Sequence, residues 1–302
     1  MATLTPLRYP GGKTIMTPYF EEFIRQNKIQ DPIYAEPFAG GAGAAINLLI
    51  SGAVNKIIIN DANTAVFSFW NSLINYSSEF MDLFENTPVT LTEWYKQKEI
   101  FEQVNHPSVA LGFATFFLNR CNRSGILKAG PIGGNSLEKQ NKSKYKLNAR
   151  FNKDSLRTRL LNIIENSNSI VVSNLDALEF METIASYPTE VQKDILVYLD
   201  PPYYVHGSEL YMNFYQHKDH KNLNDFLSQS HIFNWILSYD NVKEIRDLYS
   251  GFDLYTFNLK YSINEPKKGK ELLTHKKGVI LPEPLEIKRV TIKNIPIIKI
   301  NS

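Results

Sequence analysis

The run Ile195-Leu196-Val197-Tyr198-Leu199, followed at once by Asp200-Pro201-Pro202-Tyr203-Tyr204, restricts the fold more than any other stretch of the chain. An unbroken apolar run rich in β-branched and aromatic residues reads as a strand covered on both faces, as in a parallel sheet. The prolines, lacking N–H groups, stop its ladder. Asp200 therefore stands at the carboxyl end of a buried strand, the edge at which open α/β sheets bind ligands. Pro201 and Pro202 stiffen the backbone, so the Asp200 carboxylate and the Pro201 carbonyl form two fixed acceptors. Two acceptors match an –NH2 group, and the Tyr203 ring suits a planar heterocycle carrying it. Accepting both protons of such an amine localises its lone pair and stabilises positive charge growing on nitrogen. A plain strand terminator is the simpler use of the same tetrapeptide, so the rest of the chain has to decide.

Two upstream stretches have the same logic. Ile33-Tyr34-Ala35-Glu36-Pro37-Phe38-Ala39-Gly40-Gly41-Ala42-Gly43, leading into Ala44–Leu49, reads as strand, glycine turn and helix. A dinucleotide fingerprint would place a third glycine where Ile46 stands. Glu36 at the strand end repels a pyrophosphate but can hold an ammonium group or ribose hydroxyls, which favours a nucleoside cofactor without phosphates, such as S-adenosylmethionine. The next apolar run, Lys56–Asn60, ends in Asp61, where a nucleotide-binding unit presents a carboxylate to ribose hydroxyls. Ahead of both lies Leu7-Arg8-Tyr9-Pro10-Gly11-Gly12-Lys13-Thr14, which looks like the end of a phosphate-binding loop but has Leu7 where that loop needs its first glycine. Lys13 beside the glycine pair can meet a carboxylate, and Thr14–Gln26 reads as an amphipathic helix.

Charge decides what the partner is. The net charge is only +2, yet residues 120–150 hold eight basic residues and one acid, +7 in all, leaving −5 for the remainder. Positive charge so concentrated in a glycine- and asparagine-rich stretch implies a polyanion. One cysteine, Cys121, excludes a disulfide framework and a cysteine metal cluster, and six scattered histidines give no zinc spacing, so no metal is expected. No run of transmembrane length occurs and the N-terminal residues lack a signal-peptide core, so a cytoplasmic protein is expected.

Taken together and in this order, the Arg8–Lys13 element, Glu36–Gly43, Asp61 and Asp200–Tyr203 resemble the Dam-like family of DNA adenine methyltransferases, from Leu7 to about Leu273. The resemblance implies that Tyr9 and Lys13 contact the methionine part of S-adenosylmethionine, that Glu36, Phe38 and Gly40 surround it, and that Asp61 holds its ribose. Leu175 and Asp176 match the family's acidic loop after the third strand. Asp200, Pro201, Pro202 and Tyr203 are implied to hold an adenine turned out of the duplex, because its amino group is otherwise hydrogen-bonded inside. Asn119-Arg120-Cys121-Asn122-Arg123-Ser124-Gly125-Ile126-Leu127 begins like the recognition stretch of members that read GATC and then diverges, while Gly130-Pro131-Ile132-Gly133-Gly134-Asn135 and Arg150-Phe151-Asn152-Lys153 look more like phage-borne or orphan relatives. Other readings are an inactive DNA-binding module on the same fold, or amino-group methylation of cytosine or of protein glutamine.

The expected fold is α/β: a doubly wound, mostly parallel Rossmann-like sheet with a helical target-recognition insert. Residues 1–61 and 168–282 form the cofactor-binding catalytic domain, 62–167 the insert, and 283–302 a tail of unassigned role. Phe67, Trp70, Leu73, Ile74, Trp94, Ile100, Phe101, Leu111, Phe113, Phe116, Phe117 and Leu118 read as faces of a small bundle with its own core. From it project the candidate contacts to double-stranded DNA, Arg120, Asn122, Arg123, Lys128, Lys142, Lys144 and Lys146, with Tyr261–Lys270 as a second backbone-contacting loop. Phe233–Leu237 reads as a strand leading to a Ser238–Asn241 loop, Val242–Tyr249 as a helix and Phe252–Asn258 as a strand. A monomer is expected in solution.

Overall fold

The structure is a computed structural model and describes residues 4–9, 13–204, 215–260, 268–282 and 298–299, with backbone alone at 258–260, 268–270 and 298–299. Gly11, Gly12 and the Tyr261–Lys267 part of the proposed second loop lie outside them.

Eight strands form one sheet: β1 Ile33–Glu36, β2 Lys56–Asn60, β3 Ile170–Ser173, β4 Ile195–Leu199, β5 Asn234–Asp240, β6 Tyr255–Lys260, β7 Lys268–His275 and β8 Ile298–Lys299, in the order β3-β2-β1-β4-β5-β7-β6-β8. The first five are parallel, and β7 is antiparallel to both β5 and β6. The chain leaves β1 towards β2 and β3, then returns to place β4 and β5 on the other side. The order therefore reverses between β1 and β4, the crevice in which such sheets hold ligands. Glu36 ends β1 and Asp200 follows β4, so both stand at that reversal.

Side chains alternate across the sheet with period two. Tyr34, Ile57, Ile59, Leu196, Tyr198, Ile236 and Leu273 pack on one face, with α1 (Thr17–Gln26) and α2 (Gly43–Ile50). Ala35, Ile58, Val197, Leu199, Trp235, Leu237 and Leu272 pack on the other. The same alternation puts the polar residues Glu36, Ser238 and Glu271 on the α1 face, all of them buried.

Between β2 and β3 lie α3 (Thr64–Asn75), α4 (Ser77–Asn86), α5 (Leu91–Gln103), α6 (Val109–Cys121), α7 (Leu137–Lys142) and α8 (Lys153–Glu165). Asn63, Thr90, Ser108, Ser136 and Asn152 each cap one of them, accepting a first-turn N–H that would otherwise lack a partner. The insert does not have a core of its own. Phe69, Trp70, Phe80, Phe113, Phe116 and Phe117 belong to the same buried cluster as Phe20, Tyr34, Leu48 and Ile57 beneath the sheet. Helices α3 and α6 approach so closely at Gly112 that a Cβ there would stand 2.4 Å from the Ser68 carbonyl oxygen.

Some boundaries differ from the sequence reading. The 14–26 helix divides into a 3-10 turn, Lys13–Met16, and α1, with Pro18 in the first turn of α1. Ser238, Tyr239 and Asp240 continue β5 because β7 pairs with them, at Leu273, Leu272 and Glu271. Lys268 and Lys270 are ladder residues of β7, not loop residues. Of the tail, Ile298–Lys299 adds an edge strand on β6. No described helix is long and apolar enough to cross a membrane.

Candidate active site and nucleic-acid interface

Asp61 leaves the end of β2 with each carboxylate oxygen fixed: Oδ2 accepts the Gly40 N–H at 2.8 Å and Oδ1 the Asn63 N–H at 2.9 Å. Burial nevertheless pushes its carboxyl up to about 6. Glu36 is 6% exposed, and burial raises it further, to about 8. The turn between them is held tightly. Gly40 has φ +47, and a Cβ there would lie 2.7–2.9 Å from the Tyr9 ring, so this position needs glycine for both conformation and space. Phe38 meets Tyr215 edge-on with centroids 5.5 Å apart.

The loop after β3 is joined to the same place. Asn60, buried, accepts the Leu175 N–H through Oδ1 at 2.9 Å and donates Nδ2 to the Leu175 carbonyl at 3.0 Å. Asp176 is the N-cap of α9 (Ala177–Ala185), accepting from Leu178 in a capping box with Glu179. Its carboxylate thus has a helix-capping role in addition to any ligand contact.

At the other end of the crevice lies a buried network that the sequence reading did not assemble. Lys13 Nζ donates to both oxygens of Asp200 at 2.8 Å. Ser238 Oγ donates to Asp200 Oδ1 at 2.9 Å and is 2.7 Å from the Tyr198 hydroxyl. Tyr203 donates its hydroxyl to Glu271 Oε1 at 2.6 Å, while Glu271 Oε2 faces Lys13 Nζ at 3.6 Å, beyond hydrogen-bond range. The Lys13 ammonium also lies 5.6 Å from the Tyr203 ring centroid. Burial alone would depress Lys13, but Asp200 and then Glu271 outweigh it and hold its pKa well above the ordinary value. Burial raises Glu271 to about 7, Lys13 opposing and Asp200 reinforcing the shift. The turn ends where Asp240 accepts the Tyr204 N–H at 3.0 Å. Lys13, expected beside the cofactor, is thus paired with the Asp200 carboxylate. Glu271 carried one sequence signal, an acid opening the apolar pair Leu272-Leu273 inside a strand.

The basic loop is rooted in the N-terminal segment. The Asn119 side chain accepts the Arg8 N–H at 2.7 Å and donates to the Arg8 carbonyl at 2.8 Å and the Gly125 carbonyl at 2.9 Å. Gln140, buried, similarly ties Ile132 and Gly134 to Leu147. Arg123, Lys128, Lys142, Lys144 and Lys146 are exposed. Lys142 pairs with Glu138 at 2.6 Å, and Lys146 Nζ donates to the Gln140 and Asn141 carbonyls at the end of α7. One expected DNA contact is corrected. Asn122 is fully buried, its amide donating to the Ile126 and Leu127 carbonyls and accepting Trp94 Nε1–H at 2.7 Å, so it holds the loop from inside. Arg120 donates to the Arg150 carbonyl and, at 3.3 Å, to the Pro6 carbonyl; burial lowers its pKa to about 9.

Strand order, carboxylates at the ends of β1 and β2, and Asp-Pro-Pro-Tyr beside them define a methyltransferase built for a nucleoside cofactor. The chain belongs to the D12 class N6 adenine-specific DNA methyltransferases, whose family model matches residues 9–263. It is therefore an S-adenosylmethionine-dependent enzyme that methylates the exocyclic amino group of adenine in DNA. The chain is also similar to two solved structures of the rRNA methyltransferase aviRa from Streptomyces viridochromogenes. One is 11% identical with TM-score 0.37, covering 91% of this chain and 90% of that one; the other is 10% identical with TM-score 0.35, covering 88% and 85%. The fold is defined by the strand order itself. The comparison with curated proteins returned no match. Among the described residues no group of three His, Cys, Asp or Glu side chains could hold a metal.

Proposed function

We propose that methyl transfer takes place between the Asp61–Glu36 end of the crevice and the Asp200–Tyr203 loop, on an adenine turned out of double-stranded DNA. Asp200 and the Pro201 carbonyl accept the two amino protons, Pro202 keeps the loop rigid, and Tyr203 packs against the base. The observation that carries this reading is the Lys13 contact: one nitrogen already donates to both Asp200 oxygens at 2.8 Å in a buried setting. The carboxylate therefore has the reach to grip an amine.

The residues at the other end fit S-adenosylmethionine. Carboxylates at Glu36 and Asp61 suit an ammonium group and ribose hydroxyls and would repel a pyrophosphate. Bound there, the cofactor supplies a methyl group made electrophilic by its sulfonium charge. Tyr9, Lys13, Phe38, Gly40, Leu175 and Asp176 complete its surroundings. The chain's own part is to bind, orient and exclude water, so that Asp200 meets charge as it develops on nitrogen.

Residues 62–167 form the target-recognition part of this reading and residues 1–61 with 168–282 the catalytic part. Arg123 and Lys128 face base edges and Lys142, Lys144 and Lys146 the phosphates, since loops on a packed helical base are the usual carriers of such contacts. The enzyme acts as a monomer, in the cytoplasm. Incubation with labelled S-adenosylmethionine and mixed-sequence DNA, followed by nucleoside analysis, tests the reading. Label on N6-methyladenine is expected; label on cytosine, on protein or nowhere overturns it. Sequencing the product reads out the site.

A further inference from the structure

Two carboxylates compete for one buried ammonium beside the amine-binding loop. Lys13 Nζ lies 2.8 Å from both oxygens of Asp200 and 3.6 Å from Glu271 Oε2, with Lys13 and Glu271 nearly sealed from solvent, at 4% and 3% side-chain exposure, and Asp200 at 20%. Each Asp200 oxygen already accepts from Lys13, and Oδ1 from Ser238 as well, so an adenine amine approaching Asp200 competes with the ammonium for the same lone pairs. A buried ammonium that leaves one carboxylate must find another within reach, because an unpaired charge in such a place costs several kcal/mol. Glu271 is that second partner. Its Oε2 has no hydrogen bond, although the atom is buried, and Oε1 is already fixed by the Tyr203 hydroxyl at 2.6 Å. The carboxylate is thus aimed at Lys13 with one oxygen in reserve.

We propose that Glu271 is a positioning residue for the methylation reaction: it takes the Lys13 ammonium when adenine enters, freeing the Asp200 oxygens for the base, and holds the Tyr203 ring in place by its hydroxyl. The proposal rests on the function proposed above. Without substrate, Lys13 stands in for the amine and keeps Asp200 oriented. With substrate, the ammonium moves about an ångström along a path already bounded by the two carboxylates. Groups facing Glu271 are Lys13 from the 3-10 turn, Asp200 and Tyr203 from the loop after β4, Tyr198 on β4 and Asp240, its register partner on β5. On β6 the register partner is the apolar Phe257.

A double-mutant cycle over Glu271 and Lys13 tests this, because residues sharing one network give non-additive effects. In E271Q the amide can still accept from Tyr203 but no longer attracts the ammonium. E271Q is expected to melt within a few degrees of wild type and to bind S-adenosylmethionine within about twofold in calorimetry. Its methyl-transfer rate at saturating cofactor is expected to fall about 10–100-fold. Replacing Lys13 as well, in E271Q/K13M, removes the competitor and should recover about tenfold over E271Q, whereas K13M alone, with two carboxylates left facing each other, should be slow. A second readout serves if the double variant does not fold: wild type loses rate as pH falls through about 7, where Glu271 protonates, and E271Q lacks that acid limb. Wild-type rates in E271Q, a double variant no faster than E271Q, or an unchanged acid limb overturns the proposal. If wild type itself transfers no methyl group to adenine, the underlying reading fails instead, and the two failures are distinct.

Discussion

Trp70 donates its indole N–H to the carbonyl of Gly40 at 2.9 Å, both groups being buried. A helix of the insert thereby holds the glycine turn that follows β1. Trp70→Phe keeps most of the packing and leaves the carbonyl without its donor, which costs about 1–3 kcal/mol. Denaturant unfolding should show that loss, and calorimetry should show weaker S-adenosylmethionine binding; an unchanged affinity would mean the turn keeps its shape without Trp70.

Gly40→Ala acts on the same turn from inside. Its φ of +47 disfavours any Cβ, and the added methyl would collide with the Tyr9 ring. The expected result is a folded protein whose cofactor affinity falls at least tenfold, roughly the 1–2 kcal/mol of a left-handed residue. Crystals or NMR of the variant should show Tyr9 displaced.

Asp200→Ala should abolish methyl transfer, by about 10²–10³ in rate or more. The network adds a second expectation: the substitution takes one carboxylate from a buried ammonium, so stability should fall as well, though less than for a fully sealed pair because Asp200 is 20% exposed and Glu271 remains near. Asp200→Asn, which still accepts at one oxygen, should lose activity with a smaller loss of stability. Near-normal turnover by either variant removes Asp200 from the chemistry.

Burial raises Asp61 to about 6 and Glu36 to about 8, both above the values near 4 of an unfolded chain. A raised folded-state pKa contributes stability that is full below the unfolded value and is lost as pH rises through the folded one. The cofactor-free protein should therefore melt progressively lower from pH 5 to 8.5, and Glu36→Gln should flatten the upper part of that slope. Cofactor affinity should run the other way, weakening as pH falls through about 8, where Glu36 loses its charge, and again through about 6, where Asp61 does.

In the basic loop, Lys142→Ala and Lys144→Ala should weaken binding to all DNA alike and each flatten the slope of log K against log salt by up to about 1. Lys146→Ala should instead cost stability, because its ammonium also binds the last carbonyls of α7. Arg123→Ala should relax site preference at a cost of about 1–3 kcal/mol on the preferred site. Binding curves at several salt concentrations on specific and scrambled duplexes separate the three.

Much of this was legible in the chain because period and punctuation are local. The β4 run with its prolines, the glycine turn after β1 and Asp61 after β2 each announced a strand end, and the parallel topology then brought those ends together. Glu271 and Ser238 were not legible, since their use depends on antiparallel pairing of β7 with β5 across more than thirty residues of chain. Asn122 was misplaced for a related reason. Its polarity and neighbours suggest a solvated loop, and only the fold shows that Trp94, Ile126 and Leu127 take up its hydrogen bonds.

The Asn119 amide, bonded to Arg8 on one side and Gly125 on the other, makes the N-terminal segment and the basic loop one mechanical part. A lineage that exchanges this loop to read a new site inherits the joint: the incoming segment must again offer a carbonyl to Asn119 and a residue without a Cβ against the Arg8 backbone, where one would stand 2.4 Å from oxygen. Specificity is free to drift at the exposed tips, around Arg123 and Lys128. At the root it is anchored to the segment that carries Arg8 and Tyr9, so that the exposed tips can change without moving that joint.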